Sequence, residues 1–224
     1  ITIVTNDLSI DGEKIMIHDI NAIDFNKSSD GLIPVVVQDH ATLQVLMLGY
    51  MNQEALQETI NTKKVTFFSR SKQRLWVKGE TSENYLLLKD IFIDCDQDTI
   101  LVMARPCGPT CHTGSTSCFS QQKLPGLSHI GMVDQVIQDR IANPTENSYT
   151  HKLISRGLNK VAQKVGEEAV EVVIAALAET REDYLGEMTD LIYHSLVLLH
   201  AQGMNLDDIA EVIAERHRNK TVTP

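Results

Sequence analysis

The chain has 224 residues, 42% of them hydrophobic, which suits one large globular domain or two small ones. With 30 acidic against 20 basic residues its formal net charge is −10, so a general nucleic-acid binder is excluded and any anionic ligand must be met by a local basic patch or by metal ions. No apolar run reaches membrane-spanning length, and the opening ITIVTNDLSIDGEK lacks the basic-then-apolar order of a secretory leader; the expected compartment is the cytoplasm, where four cysteines serve as thiols or metal ligands.

The first half is strand-rich. Residues 32–38 and 42–48 flank Asp39-His40-Ala41 as the arms of a hairpin. Gly49-Tyr50-Met51 leads to Asn52, the expected N-cap of a helix over 53–59. Further strands are predicted at 65–69, 75–78 and 85–92. Between them, Arg70, Lys72 and Arg74 occupy alternate positions, and Lys78-Gly79-Glu80-Thr81-Ser82 forms a turn carrying glycine and hydroxyls. Hydroxyls, backbone N–H groups and cationic side chains are what a phosphate needs, although a solubilising loop would read the same way.

Residues 94–118 concentrate the chemistry. Asp94, Asp96 and Asp98 lie at spacing two, which on an extended strand turns them to one face and Cys95 to the other. A buried strand over 99–104 follows, then an irregular loop set by Pro106, Gly108, Pro109 and Gly114 that carries Cys107, Cys111, His112 and Cys118. Carboxylates suit Mg²⁺ and thiolates select Zn²⁺. Three of the cysteines would leave a catalytic coordination position free, whereas all four would close a structural zinc knob. His112 adjoins a cysteine, and imidazole is the side chain most often used for proton transfer, so it is the candidate general acid or base.

After Cys118 the composition shifts. A polar linker over 119–128, a helix over 129–142 and a break at 143–147 separate a domain over 1–120 from a helical domain over 148–224. Helices are expected at 149–156, 158–179, 183–202 and from Asp207 or Asp208 to about residue 218. In the third, Gly203 is a suitable C′ residue. Helical projection groups Glu167, Glu168 and Glu171 beside Lys160 and Lys164, and groups Glu187, Asp190 and His194 opposite a stripe of Leu185, Met188, Ile192, Leu196 and Leu199. If the two acidic patches face each other they need cations, and they suit Mg²⁺ held against a polyphosphate. The fold expected is therefore α+β: a β-rich metal-binding domain and a separate all-α bundle whose small core is completed by dimerisation.

Several motifs in order resemble the bifunctional phosphoribosyl-AMP cyclohydrolase / phosphoribosyl-ATP pyrophosphohydrolase family of histidine biosynthesis. In the second half these are Glu167-Glu168-Ala169-Val170-Glu171 and Glu187-Met188-Thr189-Asp190, as in all-α nucleotide pyrophosphohydrolases. In the first they are Phe67-Phe68-Ser69-Arg70-Ser71, Leu75-Trp76-Val77-Lys78-Gly79-Glu80, the aspartate run, and Gly108-Pro109-Thr110-Cys111-His112-Thr113-Gly114 with Ser117-Cys118-Phe119.

The resemblance implies pyrophosphate release from phosphoribosyl-ATP in the C-terminal half, through Glu167, Glu168, Glu171, Glu187 and Asp190 with Mg²⁺. It implies hydrolytic opening of the adenine ring of phosphoribosyl-AMP in the N-terminal half, with Mg²⁺ on Asp94, Asp96 and Asp98 and Zn²⁺ on Cys95, Cys111 and Cys118. The zinc site would be shared across a homodimer. The substrate contacts implied are Arg70, Ser71, Arg74, Trp76, Lys78, Glu80, Ser82 and Lys164. Two positions depart from the pattern: Glu83 stands where the family has glycine, and Cys107 is additional. A nucleobase deaminase does not fit, since the chain has no H-x-E and Cys107 and Cys111 are one residue too far apart for P-C-x-x-C. A house-cleaning nucleotide pyrophosphohydrolase with a structural zinc domain, and a zinc-held interaction module, are the competing readings.

Overall fold

A computed structural model of the protein describes residues 9–10, 13–14, 22–119 and 123–221, which form two units dividing between Ser128 and His129. The opening stretch read for a leader and residues 120–122 of the expected linker lie mostly or wholly outside the described residues.

In the first unit, β1 (Ser9–Ile10) and β2 (Glu13–Lys14) pair as a short ribbon. The main sheet contains β3 (Ile33–Asp39), β4 (Val45–Met51), β7 (Leu86–Ile93) and β8 (Ile100–Pro106) in the order β4-β3-β8-β7. β5 (Thr66–Ser69) and β6 (Arg74–Val77) form a separate antiparallel hairpin. Along β3 the residues from Ile33 to Asp39 alternate buried and half-buried, as a strand with one face on the core requires. Pro34 is tolerated because its neighbour is Tyr50 of β4, while the parallel pairing with β8 begins only at Val35.

The helix α1 (Gln53–Thr62) starts where Asn52 Oδ1 accepts the Ala55 N–H at 2.8 Å. It buries Ala55, Leu56, Thr59 and Ile60 in a core that also holds Leu46, Met51, Phe67 and Ile91. A side chain at Gly49 would collide with the Phe67 ring, which is why that motif position carries glycine.

The second unit consists of helices: α2 (Gly126–Ala142, its first turn belonging to the first unit), α3 (Tyr149–Ser155), α4 (Leu158–Ala178), α5 (Arg181–Ala201) and α6 (Leu206–Thr221). The helix expected inside the linker packs with this unit, because Ile137 enters its core and Asp134 accepts from His200 at 2.8 Å. Thr180 and Asp183 form a capping box at the start of α5. Its end is a Schellman turn: Gly203 (φ 76°) donates to the His200 carbonyl at 2.9 Å and Met204 to that of Leu199 at 3.1 Å.

On α5 the projected stripe is divided: Leu185 and Ile192 are exposed and Leu196 is buried, together with Val197 and with His194 of the acidic side. The acid-bearing side faces α4, with Glu187 beside Glu168 and Glu171. Projection finds a polar and an apolar face but not which one the neighbouring helix covers. Here Lys164 and Tyr149 satisfy the polar groups locally, so that face can turn inward. Part of the apolar surface remains outside. Val170, Val173, Ile174 and Leu177 of α4 are 59%, 57%, 49% and 84% exposed, at the i, i+3, i+4, i+7 spacing of a packing stripe.

Candidate active sites

The three aspartates do converge, with carboxylate oxygens within 4.8 Å of one another, but not by strand alternation. β7 ends at Ile93 and β8 begins at Ile100, so Asp94, Asp96 and Asp98 lie in the intervening turn. Gln97 takes a left-handed φ of 68° there, and Asp94 Oδ1 accepts the N–H groups of Asp98 and Thr99, both at 3.0 Å. Desolvation opposes ionisation of Asp94, but these N–H bonds prevail and hold its carboxyl below the ordinary range. Lys27, at the end of a 3₁₀ turn over Phe25–Lys27, donates to the Asp96 carbonyl and lies 3.4 Å from Asp98 Oδ2 and 3.7 Å from Asp96 Oδ2.

All four cysteines are free thiols. Cys111 and Cys118 share the loop after β8. Its turn is closed by Cys111 N–H to the Ser115 carbonyl at 3.0 Å and anchored by Cys118 N–H to the Leu46 carbonyl at 2.8 Å. The Thr113 hydroxyl donates to Cys111 Sγ at 3.1 Å and, with the Thr113 N–H, lowers the thiol to about 6. Desolvation and the Cys111 charge push Cys118 the other way.

Cys95 does not join them. It sits in the β7–β8 turn, whereas Cys118 is tied to β4, two strands beyond β8 and on the order of 10 Å across the sheet. Among the described residues, no cluster of metal-ligating groups contains these three thiols together.

A cleft of about 520 Å³ joins the cysteine loop to the segment after β6, with Cys111, His112 and Cys118 on one side and Trp76, Lys78, Glu80 and Ser82 on the other. Lys78 is only 6% exposed; burial lowers its pKa, the two thiolates raise it, and its ammonium donates to the Asn84 carbonyl at 3.1 Å. His112 is exposed, with Nδ1 3.8 Å from Cys111 Sγ.

Arg70, Ser71 and Arg74 do not line this cleft. Arg70 stacks over Tyr50 at 3.8 Å, and Arg74 grips Glu80 through contacts of 2.5 and 3.1 Å. Glu83 has φ 60°, the conformation that glycine adopts freely, and its side chain is exposed. The departure from the family pattern therefore costs local strain of about 1 kcal/mol rather than steric access to the cleft.

In the helical unit, α4 buries Val161, Glu168 and Ala175 at spacing seven, which sets a carboxylate in the middle of its packing seam. Glu168 is 4% exposed. Its oxygens lie within 4.8 Å of those of Glu171 and Glu187. Lys164 holds Glu168 at 2.5 Å and Glu167 at 3.1 Å, and so keeps the Glu168 carboxyl below its usual range. Glu171 is pushed up, first by its bond to Glu168, then by desolvation and the charges of Glu168 and Glu187. Glu167 is bound by Gln163 at 2.7 Å and by the two lysines, and Asp190 lies outside the three-carboxylate cluster with its side chain exposed. Oxygen-only donors crowded to this degree fit a hard divalent cation, and the paired thiols of the other unit fit a softer one.

The phosphoribosyl-AMP cyclohydrolase family model matches residues 47–120, and the phosphoribosyl-ATP pyrophosphohydrolase model matches residues 131–217. A histidine biosynthesis bifunctional protein HisIE from Photobacterium profundum is 51% identical over 193 residues, covering 84% of this chain and 93% of that protein. Proteins of the same description from Vibrio cholerae and Staphylococcus epidermidis are 50% and 48% identical, each over 88% of this chain and 94% and 92% of their own. The chain belongs to the bifunctional HisIE family. It is a histidine-biosynthesis hydrolase whose cyclohydrolase domain precedes its pyrophosphohydrolase domain.

Several residues around these HisIE sites have no signal in the sequence. Lys27 lies 69 residues before Asp96 and outside the cyclohydrolase match. Tyr149 pairs through its hydroxyl with Nε2 of buried His194 at 3.1 Å, across 45 residues, while Nδ1 of that histidine bonds the Asp190 carbonyl at 2.9 Å. Thr113 could have been found, as a hydroxyl two residues after a cysteine. Its effect is measurable: in metal-stripped protein, iodoacetamide should alkylate Cys111 with a midpoint near pH 6, the rate rising as pH rises through it. Thr113→Val should move that midpoint toward the ordinary thiol range. A midpoint already there in the unaltered protein would refute the role of Thr113.

Proposed function

We propose that the helical unit cleaves phosphoribosyl-ATP to phosphoribosyl-AMP and pyrophosphate, and that the β-rich unit then adds water across N1–C6 of the adenine ring. The observation that carries the second step is the cleft joining His112, Cys111 and Cys118 to Lys78 and Ser82: a water-activating end and a phosphate-binding end around one ligand-sized space.

In the pyrophosphohydrolase, Glu168, Glu171 and Glu187 hold Mg²⁺, with Glu167 and Asp190 completing the set. Mg²⁺ held there would neutralise phosphate charge and supply a nucleophilic water. In the cyclohydrolase, Cys95, Cys111 and Cys118 would hold Zn²⁺, which would supply a nucleophilic water at neutral pH. His112 takes the water proton and returns it to the ring nitrogen. Trp76 offers an apolar face to the base, and Lys78 and Ser82 hold the phosphate, with Arg74 fixing Glu80 at the cleft. Arg70 and Ser71 act on a substrate group that extends past the cleft. Asp94, Asp96 and Asp98 would hold Mg²⁺, with Lys27 beside them. The protein works in the cytoplasm, in keeping with four free thiols.

The working form is a homodimer. The separation of Cys95 from the other two thiols supports a zinc site completed by a second copy, and the exposed α4 stripe supports a second apolar contact. Subunit complementation tests this. Cys95→Ala and Cys111→Ala proteins should each lack ring opening, but after unfolding and refolding together they should regain about a quarter of it, because half the dimers then carry one intact site of two. No recovery, with heterodimers demonstrably formed, would place all three ligands in one chain. Phosphoribosyl-ATP with Mg²⁺ and Zn²⁺ is the substrate mixture, with pyrophosphate and ring-opened product followed separately.

A further inference from the structure

Lys164 is placed in a way that binding substrate alone does not explain. Its half-buried side chain runs along α4, and its ammonium is 2.5 Å from Glu168 Oε1 and 3.1 Å from Glu167 Oε2. Nδ1 of His194 lies 3.5 Å from the same Glu168 oxygen. That oxygen thus already has a positive partner, within the same small set of carboxylates that would hold the divalent cations. An ammonium and a divalent cation cannot both stay on one carboxylate without strong repulsion. Lysine is suited to leave, being a compact charge on a flexible four-carbon stem.

We propose that Lys164 is the resident counter-cation of the acidic cluster, displaced from Glu168 when divalent cations bind and then engaging the polyphosphate they bring in. The inference rests on the cation reading of Glu168, Glu171 and Glu187 given above. It couples two events: the ammonium opposes cation binding while it sits on Glu168, and a polyphosphate that draws it away favours cation binding. By linkage, cation and substrate then each tighten the other. Lys160, 4.0 Å from Glu167, remains on the outer carboxylate in both states.

The test is Mn²⁺ binding to the full chain, with the Glu171→Ala protein defining ions held elsewhere. Lys164→Gln should bind Mn²⁺ in the helical unit about tenfold more tightly, while KM for phosphoribosyl-ATP rises about tenfold. If the unaltered protein binds no Mn²⁺ that depends on Glu171, the cation reading fails and the lysine exchange with it. If it binds but Lys164→Gln leaves the affinity unchanged or weaker, only the exchange fails, and Lys164 is a scaffold that orients Glu168. Should the variant not fold, the unaltered protein decides: the ¹⁵N resonance of the paired Lys164 ammonium should be lost at saturating Mg²⁺, and its persistence would overturn the proposal.

Discussion

Cys111→Ala is expected to reduce ring opening by roughly 10³-fold or more, about 4 kcal/mol of transition-state stabilisation, while pyrophosphate release stays within about twofold. Phosphoribosyl-AMP should then accumulate from phosphoribosyl-ATP. The size of the effect follows from the chemistry of the loop. Cys111 is the thiol whose neighbours favour the anion, while burial first and then the Cys111 charge raise Cys118, so the substitution removes the more readily ionised of the loop's two thiols. The selectivity follows from the architecture. Cys111 lies in a loop of the first unit, and the carboxylates belong to a unit with its own core around Ile137, Leu153, Val161, Leu196 and Val197. Effects at sites with no shared partner add independently. Cys107→Ala is the control and should alter neither activity, since Cys107 lies outside the cleft and its N–H bonds the Tyr85 carbonyl whatever its side chain. A parallel fall in both activities for Cys111→Ala, with the fold intact, would count against two independent centres.

Local features were readable from the sequence because local chemistry decides them. Asn52 caps α1 since its side chain reaches the Ala55 N–H wherever such a helix begins, and Gly203 ends α5 because its left-handed φ suits glycine. Spacing two misled for the aspartates, because a tight turn and a strand both bring such residues together. Only the turn explains the bonds from Asp98 and Thr99 to Asp94. The sheet order, with β3 parallel to β8 across more than sixty intervening residues, depends on long-range pairing that no short window contains. It is also what parts Cys95 from Cys118. On α5 the two faces were readable, and the meeting of its acidic face with that of α4 could be stated only as a condition. Charges usually face water, and here Glu168, Lys164, His194 and Tyr149 satisfy one another well enough to reverse the rule.

That reversal makes Glu171→Ala the other decisive variant. Pyrophosphate release should fall by roughly 10³-fold, with ring opening of supplied phosphoribosyl-AMP retained. Glu171 is preferable to Glu168 for this purpose. Removing the buried Glu168 would also take away the closest partner of Lys164 and a neighbour of His194, and so would mix a packing change with the catalytic one. Exposed Glu171 avoids that mixing, and its neighbours point the other way. Glu168, desolvation and Glu187 raise its pKa in the fold, so the metal-free native state holds its proton more tightly than the unfolded chain does. Stability is then lost as pH rises through the folded-state value, and the alanine variant escapes that loss. Without divalent cations, the melting temperature of Glu171→Ala should therefore equal that of the unaltered protein at pH 4 and exceed it at pH 8. With saturating Mg²⁺ the order should reverse, because only the unaltered protein then gains stability from ions bound at the helical unit's carboxylates. An inactive variant whose melting order did not cross on adding Mg²⁺ would make Glu171 a structural residue and would count against the cation reading of the acidic cluster.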